Sequence, residues 1–357
     1  MSHSSRYFLA ANTPDGFISY FDELYNPYTD SLCYIIKGGP GTGKSTLMKK
    51  IALALEAKGA SVERIYCSSD PDSLDGVICR EKGFAIADGT SPHVLEPRFP
   101  GASEAIINLG QFWDEKILRK GRDRIISLTL ENSLCHRKST AYLSAAGKLR
   151  RQSCAIASEY IREEKIHSFA VRLASRELPK KTDGAGRRYR RLLSAITPKG
   201  RIFFGDTLQN NSARIIGIED GYSAVSAMLL EEIGEAAIAR GYDVIFCPSP
   251  LMPECTEHII IPEKNLALTS ITKDFPCVPC DRCIHSERFL RQEIRENRQL
   301  LKFNRTLCRE LTDCAVDLLK KAKQTHDLME KEYAAAMNYE ALDAFSMNFI
   351  DKLLTNF

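Results

Sequence analysis

The segment Gly38-Gly-Pro-Gly-Thr-Gly-Lys-Ser45 constrains this chain more than any other stretch. It fits G-x-x-x-x-G-K-[ST], a loop whose backbone N–H groups turn inward on phosphate. Gly38, Gly39, Gly41 and Gly43 supply the curl, with Pro40 and Thr42 between them. The helix that follows, with Thr46 in its first turn, adds a positive N-terminal end. Lys44 is placed to reach β- and γ-phosphates, and the Ser45 hydroxyl suits Mg²⁺. An apolar strand at Cys33–Ile36 precedes the loop, and a helical pattern at Leu47, Ile51 and Leu55 follows it. Strand, loop and helix in this order predict an α/β fold with a doubly wound parallel sheet.

The next elements extend that reading. A second strand is expected at Ser61–Cys67, followed by a polar loop carrying Asp70, Asp72 and Asp75. Gly83-Phe-Ala-Ile-Ala-Asp88 then reads as an apolar strand ending in a carboxylate. Asp88 is expected to hold Mg²⁺ beside Ser45. Gly89 follows where many ATPases carry a catalytic glutamate, so the motif does not supply the base. Asp70 is the candidate substitute, against the plainer reading of a solvated turn. The expected catalytic set is Lys44, Asp70 and Asp88.

The chain also repeats itself. Arg6-Tyr-Phe-Leu-Ala-Ala-Asn-Thr-Pro-Asp-Gly16 aligns with Arg190-Arg-Leu-Leu-Ser-Ala-Ile-Thr-Pro-Lys-Gly200. Ile51, Ala54 and Gly59 align with Ile233, Ala236 and Gly241, and a strand ending in cysteine, Cys67 or Cys247, follows each glycine. Leu134-Cys135 and Glu159-Tyr160 recur as Leu307-Cys308 and Glu332-Tyr333. Two tandem α/β copies are predicted, at 1–185 and 186–357, each with a long helical appendage (Ala102–Glu177 in the first). The second copy is degenerate. Aligning Gly59 with Gly241 sets Gly38 opposite Asp220, Gly43 opposite Val225, Lys44 opposite Ser226 and Ser45 opposite Ala227.

Lys37-Gly-Gly-Pro-Gly-Thr-Gly-Lys-Ser-Thr-Leu-Met48, Cys67-Ser-Ser-Asp-Pro-Asp-Ser-Leu-Asp-Gly76 and Ala87-Asp-Gly-Thr-Ser-Pro-His93 together resemble a bacterial family of tandem-repeat P-loop ATPases. The resemblance covers most of the chain and implies ATP binding on a P-loop NTPase fold. It implies no substrate. In that family the second repeat often carries its own phosphate loop, and this chain departs from it there.

Two further features bear on partners. Between Lys148 and Arg191 there are thirteen Lys/Arg against five Asp/Glu, peaking at Arg187-Arg-Tyr-Arg-Arg191. A nucleic-acid or polyphosphate patch, an arginine finger and a solvated basic face all fit that stretch. Cys277-Val-Pro-Cys280-Asp-Arg-Cys283-Ile-His285 has ligand spacing for Zn²⁺, or for an iron–sulfur cluster with a distant fourth ligand, against reduced thiols without metal. Trp113 reads as core packing ahead of a base-stacking platform.

Composition excludes several classes. A formal charge of +3 across 357 residues is too balanced for a polybasic protein. No apolar run approaches a membrane span, and Met1–Phe8 lacks the layout of an export signal, so a cytoplasmic protein is expected. The expected function is ATP binding, with ATPase activity at one Mg–ATP site in the first half. A small-molecule or nucleic-acid kinase and a non-hydrolysing ATP-bound sensor are the alternatives, with the acceptor or macromolecular partner unassigned.

Overall fold

The computed structural model describes residues 4–28, 30–181, 184–272 and 278–355. The first half runs β1 (Ser5–Phe8), β2 (Ala10–Thr13), β3 (Gly16–Ser19), β4 (Leu32–Lys37), α1 (Lys44–Ala57), β5 (Glu63–Tyr66), β6 (Leu74–Cys79), β7 (Phe84–Asp88), β8 (Glu104–Asn108), α2 (Glu115–Lys120), α3 (Arg122–Ser158) and α4 (Glu163–Glu177). The second runs β9 (Arg188–Arg190), β10 (Ser194–Thr197), β11 (Gly200–Phe203), α5 (Gly205–Asn211), β12 (Arg214–Glu219), α6 (Ala224–Ala239), β13 (Val244–Ser249), β14 (Met252–Ile261), β15 (Leu266–Ile271), β16 (Arg282–His285), α7 (Arg298–Ala334) and α8 (Tyr339–Thr355).

Each half builds a six-stranded sheet, in the orders β1-β5-β6-β7-β4-β8 and β9-β13-β14-β15-β12-β16. Position by position the two orders correspond. Neither sheet is all parallel. β6 runs antiparallel to β5 and β7, and β14 runs antiparallel to β13 and β15. The polar stretch read as a loop up to Asp75 turns back at Ser73 and starts β6 at Leu74, which makes the sheet mixed.

The sheets are not doubly wound either. Side chains alternate across a strand, so neighbouring residues report its two faces. Ile36 and Ile86 pack with Leu47, Ile51 and Leu55 of α1 and with Leu342 and Leu353 of α8. Ile35, Ala85 and Ala87 point the other way and share a core with Ile215, Ile260 and Ala267 of the second sheet. Beyond that sheet, Ile216 and Ile218 meet α6 and Ile166, Phe169 and Leu173 of α4. The order of layers is helices, sheet, sheet, helices. With a sheet on one face and helices on the other, both faces of each strand are apolar, hence the unbroken hydrophobic runs.

The outer helices are exchanged. α4 belongs to the first half and covers the second sheet, while α8 belongs to the second half and covers the first. The segments 1–185 and 186–357 therefore divide the chain but share their cores. α3 and α7, 37 residues each, lie antiparallel: Asn132 donates to the Ala322 carbonyl, Ser139 to that of Ala315, and Asn304 to Gln152. At 1.5 Å per residue each extends roughly 55 Å. Glu159-Tyr160 lies past the end of α3 whereas Glu332-Tyr333 lies inside α7, so that pair does not mark equivalent places. The stretch from Ala102 opens on strand β8 before its helices begin.

The Thr-Pro-x-Gly turns are equivalent in detail. Thr13 Oγ1 donates to the Gly16 carbonyl and accepts from the Asp15 amide, and Thr197 does the same with Gly200 and Lys199. These turns join β2 to β3 and β10 to β11, and β2 meets β10 at Asn12 and Ile196 to form a third sheet. The basic peak is β9 and its exit rather than a free linker. Arg188 pairs with Glu231 and Glu235, Arg190 with Glu23, and the fully buried Arg191 with Glu63 at 2.9 Å. Arg190 and Arg191 tie the second half to the first, Arg188 pairs within its own half, and none of the three is poised as a finger. Arg191 and Arg80 hold the Glu63 carboxyl down at about 2 against the opposing effect of burial. Among the described residues no helix is long and apolar enough to cross a membrane.

Candidate phosphate-loop site

β4 ends at Lys37 and α1 begins at Lys44, so residues 38–43 form the whole connection. Gly41 and Gly43 take φ of +69° and +84°, a region that glycine enters without the steric cost of a Cβ. Gly43 stands at the N-cap of α1 and offers no side-chain cap, which leaves the helix N-terminus open to an anion. Lys44 Nζ folds back over the loop and donates to the carbonyls of Gly38 (2.9 Å) and Gly39 (2.8 Å). Thr42 Oγ1 also donates to the Gly39 carbonyl, at 2.8 Å.

Asp88 ends β7, which lies parallel beside β4 with Asp88 opposite Ile36. Thr90 holds one carboxylate oxygen through its amide (2.9 Å) and hydroxyl (2.5 Å). The other oxygen faces Lys44 Nζ at 3.5 Å. Ser45 Oγ accepts the Leu74 amide at 2.9 Å, tying the first turn of α1 to the start of β6. The structure thus brings Lys44, Ser45 and Asp88 to one end of the first sheet. Thr46 is exposed in the first turn of α1. Gly89 is sterically enforced: a Cβ there would lie 2.3 Å from Ile35 Cγ2. A glutamate at that position would require β4 to repack.

Asp70 sits outside this group. Its carboxylate accepts from Ser73 Oγ at 2.8 Å and faces Lys323 of α7 at 3.6 Å. Burial works against the Lys323 charge, but its hydrogen bond to Asp327 and the nearby Asp70 outweigh that and raise its pKa. A different carboxylate lies closer to Asp88 along the sheet. Gly76 pairs with Ala87, so Asp75 and Asp88 are the next residues on adjacent strands. Asp75 is buried and lies 3.2 Å from His93 Nε2, whose ring stacks on Phe21. Burial and the Asp75 charge push the Cys67 thiol well up, so it stays protonated beside them.

The other half of the chain covers the loop. The Tyr333 ring lies over Gly39, where a Cβ would come within 2.4 Å of it. A Cβ on Gly41 would lie 2.7 Å from the Glu330 carbonyl, and one on Gly43 would lie 2.9 Å from Leu342. Tyr339 donates its hydroxyl to the Gly41 carbonyl at 2.9 Å, and Trp113 packs on Tyr333 with ring centres 5.8 Å apart. Lys323, Glu330 and Tyr339 carry no local sequence signal, while Asp75, His93 and Tyr333 lie in stretches the sequence singles out without marking these contacts. The glycines alone hinted that something approaches the loop closely.

The corresponding loop of the second half is two residues shorter, 220–223 against 38–43. Its left-handed residue is Ser223 at φ +63°, directly before α6. Ser223 rather than Val225 therefore stands opposite Gly43, and Ala224 and Val225 replace Lys44 and Ser45. The buried Asp220 turns its own carboxylate into the loop, accepting the Tyr222 amide at 3.0 Å and the Ser226 amide at 2.8 Å. Arg150 of α3 donates to Ser223 Oγ (2.8 Å) and to the Gly221 carbonyl (3.2 Å).

Of the cysteine cluster, Cys277 lies outside the described residues. Cys283 and His285 are two apart on β16 and share a face with Glu219, within 4.8 Å of one another. The Cys280 thiol donates instead to the Val278 carbonyl at 3.1 Å. Cys247 is buried in β13, and His258 Nδ1 meets Thr269 Oγ1 at 2.7 Å, both away from that group.

No family model, curated protein or solved structure matches this chain.

Proposed function

We propose that the chain binds ATP with Mg²⁺ at one site, the loop at 38–46, and acts there as an ATPase. The observation that carries this reading is Lys44, held between the loop carbonyls of Gly38 and Gly39 and the Asp88 carboxylate. A lysine so placed exchanges carbonyls for phosphate oxygens by a small swing of its side chain. The uncapped first turn of α1 and the left-handed Gly41 and Gly43 fit a polyphosphate. Ser45 and Asp88 are the residues that would hold Mg²⁺, which supplies charge neutralisation between β- and γ-phosphates. Thr90 fixes the Asp88 carboxylate for that task.

Asp75 neighbours Asp88 across the strand pair, but His93 holds its carboxylate beside Phe21 of the core between the sheets, away from the α1 face on which Lys44 and Asp88 meet. Asp70 serves at the rim, where Lys323 offsets its charge.

Lys44→Ala tests the reading. It removes a phosphate contact worth roughly 1.5–3 kcal/mol in binding, and more in the transition state. Titration calorimetry and phosphate release are expected to show no measurable ATP binding or turnover, with an unchanged circular dichroism spectrum. Normal affinity and turnover in the folded variant would refute the site.

A further inference from the structure

We propose that the second half carries a zinc site formed by Glu219, Cys283 and His285. Glu219 ends β12, and His285 is its parallel partner on β16. Cys283 pairs with Gly217, so alternation puts Cys283, His285 and Glu219 on one face of two adjacent strands. One ligand atom from each lies within 4.8 Å of the other two, and all three residues are exposed. Tetrahedral zinc with bonds of about 2.0–2.3 Å spaces its ligand atoms roughly 3.3–3.8 Å apart. Reaching that spacing takes shifts of about an ångström in exposed side chains, with the His285–Glu219 contact opening slightly.

The donor set selects the metal. A thiolate, an imidazole and a carboxylate together suit zinc, whereas Mg²⁺ and Ca²⁺ take oxygen ligands. An iron–sulfur cluster requires more thiolates than this face offers. His285 Nδ1 lies 2.7 Å from Glu219 Oε2, a hydrogen-bond contact that already orients both side chains. Zinc binding displaces the thiol proton of Cys283, which leaves to solvent as the Zn–S bond forms. Three protein ligands leave the fourth position to water, as in open zinc sites.

The place in the fold is informative. Glu219 immediately precedes Asp220, so the metal would sit at the strand end where the first half keeps its phosphate loop. Residues at the carboxyl ends of strands in open α/β sheets form the usual ligand crevice. The second half fills its loop with Asp220 and presents a soft-metal triad beside it. This proposal does not depend on ATP binding by the first half.

The full chain, stripped of metal and titrated with Zn²⁺ against a chromophoric chelator, is expected to bind one equivalent. Cys283→Ser and His285→Ala are each expected to weaken binding at least a hundredfold, and Glu219→Gln about tenfold. Cobalt substitution should give a thiolate charge-transfer band that disappears in Cys283→Ser. Cys280→Ser and Lys44→Ala should leave zinc affinity unchanged. Absence of stoichiometric binding overturns the site. So does zinc that survives Cys283→Ser unweakened, or that is lost in Cys280→Ser.

Discussion

The connections β4–α1 and β12–α6 stand at the same place in two sheets of corresponding strand order, and they differ in what lies before the helix. In the first, the helix N-terminus is uncapped and a lysine waits over the loop. In the second, Asp220 accepts two amides and Arg150 braces the turn from α3. A helix N-terminus attracts an anion either way. A free anion makes a binding site, and a covalent one makes a structural cap. Asp220 converts the second loop from the former to the latter while keeping the frame that both halves need for packing.

The largest effect that could break this comparison is nucleotide stoichiometry. Titration with a non-hydrolysable ATP analogue and Mg²⁺ is expected to give one site per chain. The second loop should be at least about 10³-fold weaker, roughly 4 kcal/mol, for lack of lysine, hydroxyl and free amides. A ratio of two would restore it as a nucleotide site.

Asp220→Ala sharpens the cap reading. It leaves the Tyr222 and Ser226 amides without their acceptor, at a cost of about 1–3 kcal/mol in stability. Denaturant unfolding should show that loss while ATP affinity at the first half stays constant. An unchanged midpoint would mean that Asp220 is no cap.

The smallest effect concerns the cover over the first loop. Tyr339→Phe removes one hydrogen bond to the Gly41 carbonyl, worth about 0.5–1.5 kcal/mol. ATP affinity is expected to fall about two- to tenfold. No change would make α8 a passive neighbour.

How much of this was legible in the sequence follows from how local each signal is. The loop, its flanking strand and helix, and the carboxylate of Asp88 are written in short contiguous stretches, and the structure has them at the expected positions. The repeated Thr-Pro-x-Gly turns are equally local. The mixed sheet was misread because the six residues Ser68–Ser73 before β6 are polar apart from Pro71, and a hairpin that starts in such a stretch looks like a longer loop. The second-half alignment slipped by two residues only at the helix start: α6 has 16 residues against 14 in α1 and begins two residues sooner, so the shorter loop is compensated by a longer helix and neither the strand end nor Gly241 betrays it. The partners of the loop glycines could not be read at all, since Glu330, Tyr333 and Tyr339 reach them from the far end of the chain. The basic stretch misled for the same reason: Glu23, Glu63, Glu231 and Glu235, which neutralise it, are distant in sequence.

The exchange of outer helices sets a clock on biosynthesis. Tyr339 follows Gly41 by 298 positions. At about 5–20 residues per second, the loop emerges on the order of 15–60 s before the helices that cover it are made. During that interval the outer face of the first sheet, with Ile36 and Ile86, and Leu47 of α1 lack Leu342 and Leu353. A nascent first half is therefore an incomplete body with an exposed apolar face. Its glycine loop reaches its final form only when translation has passed Leu342.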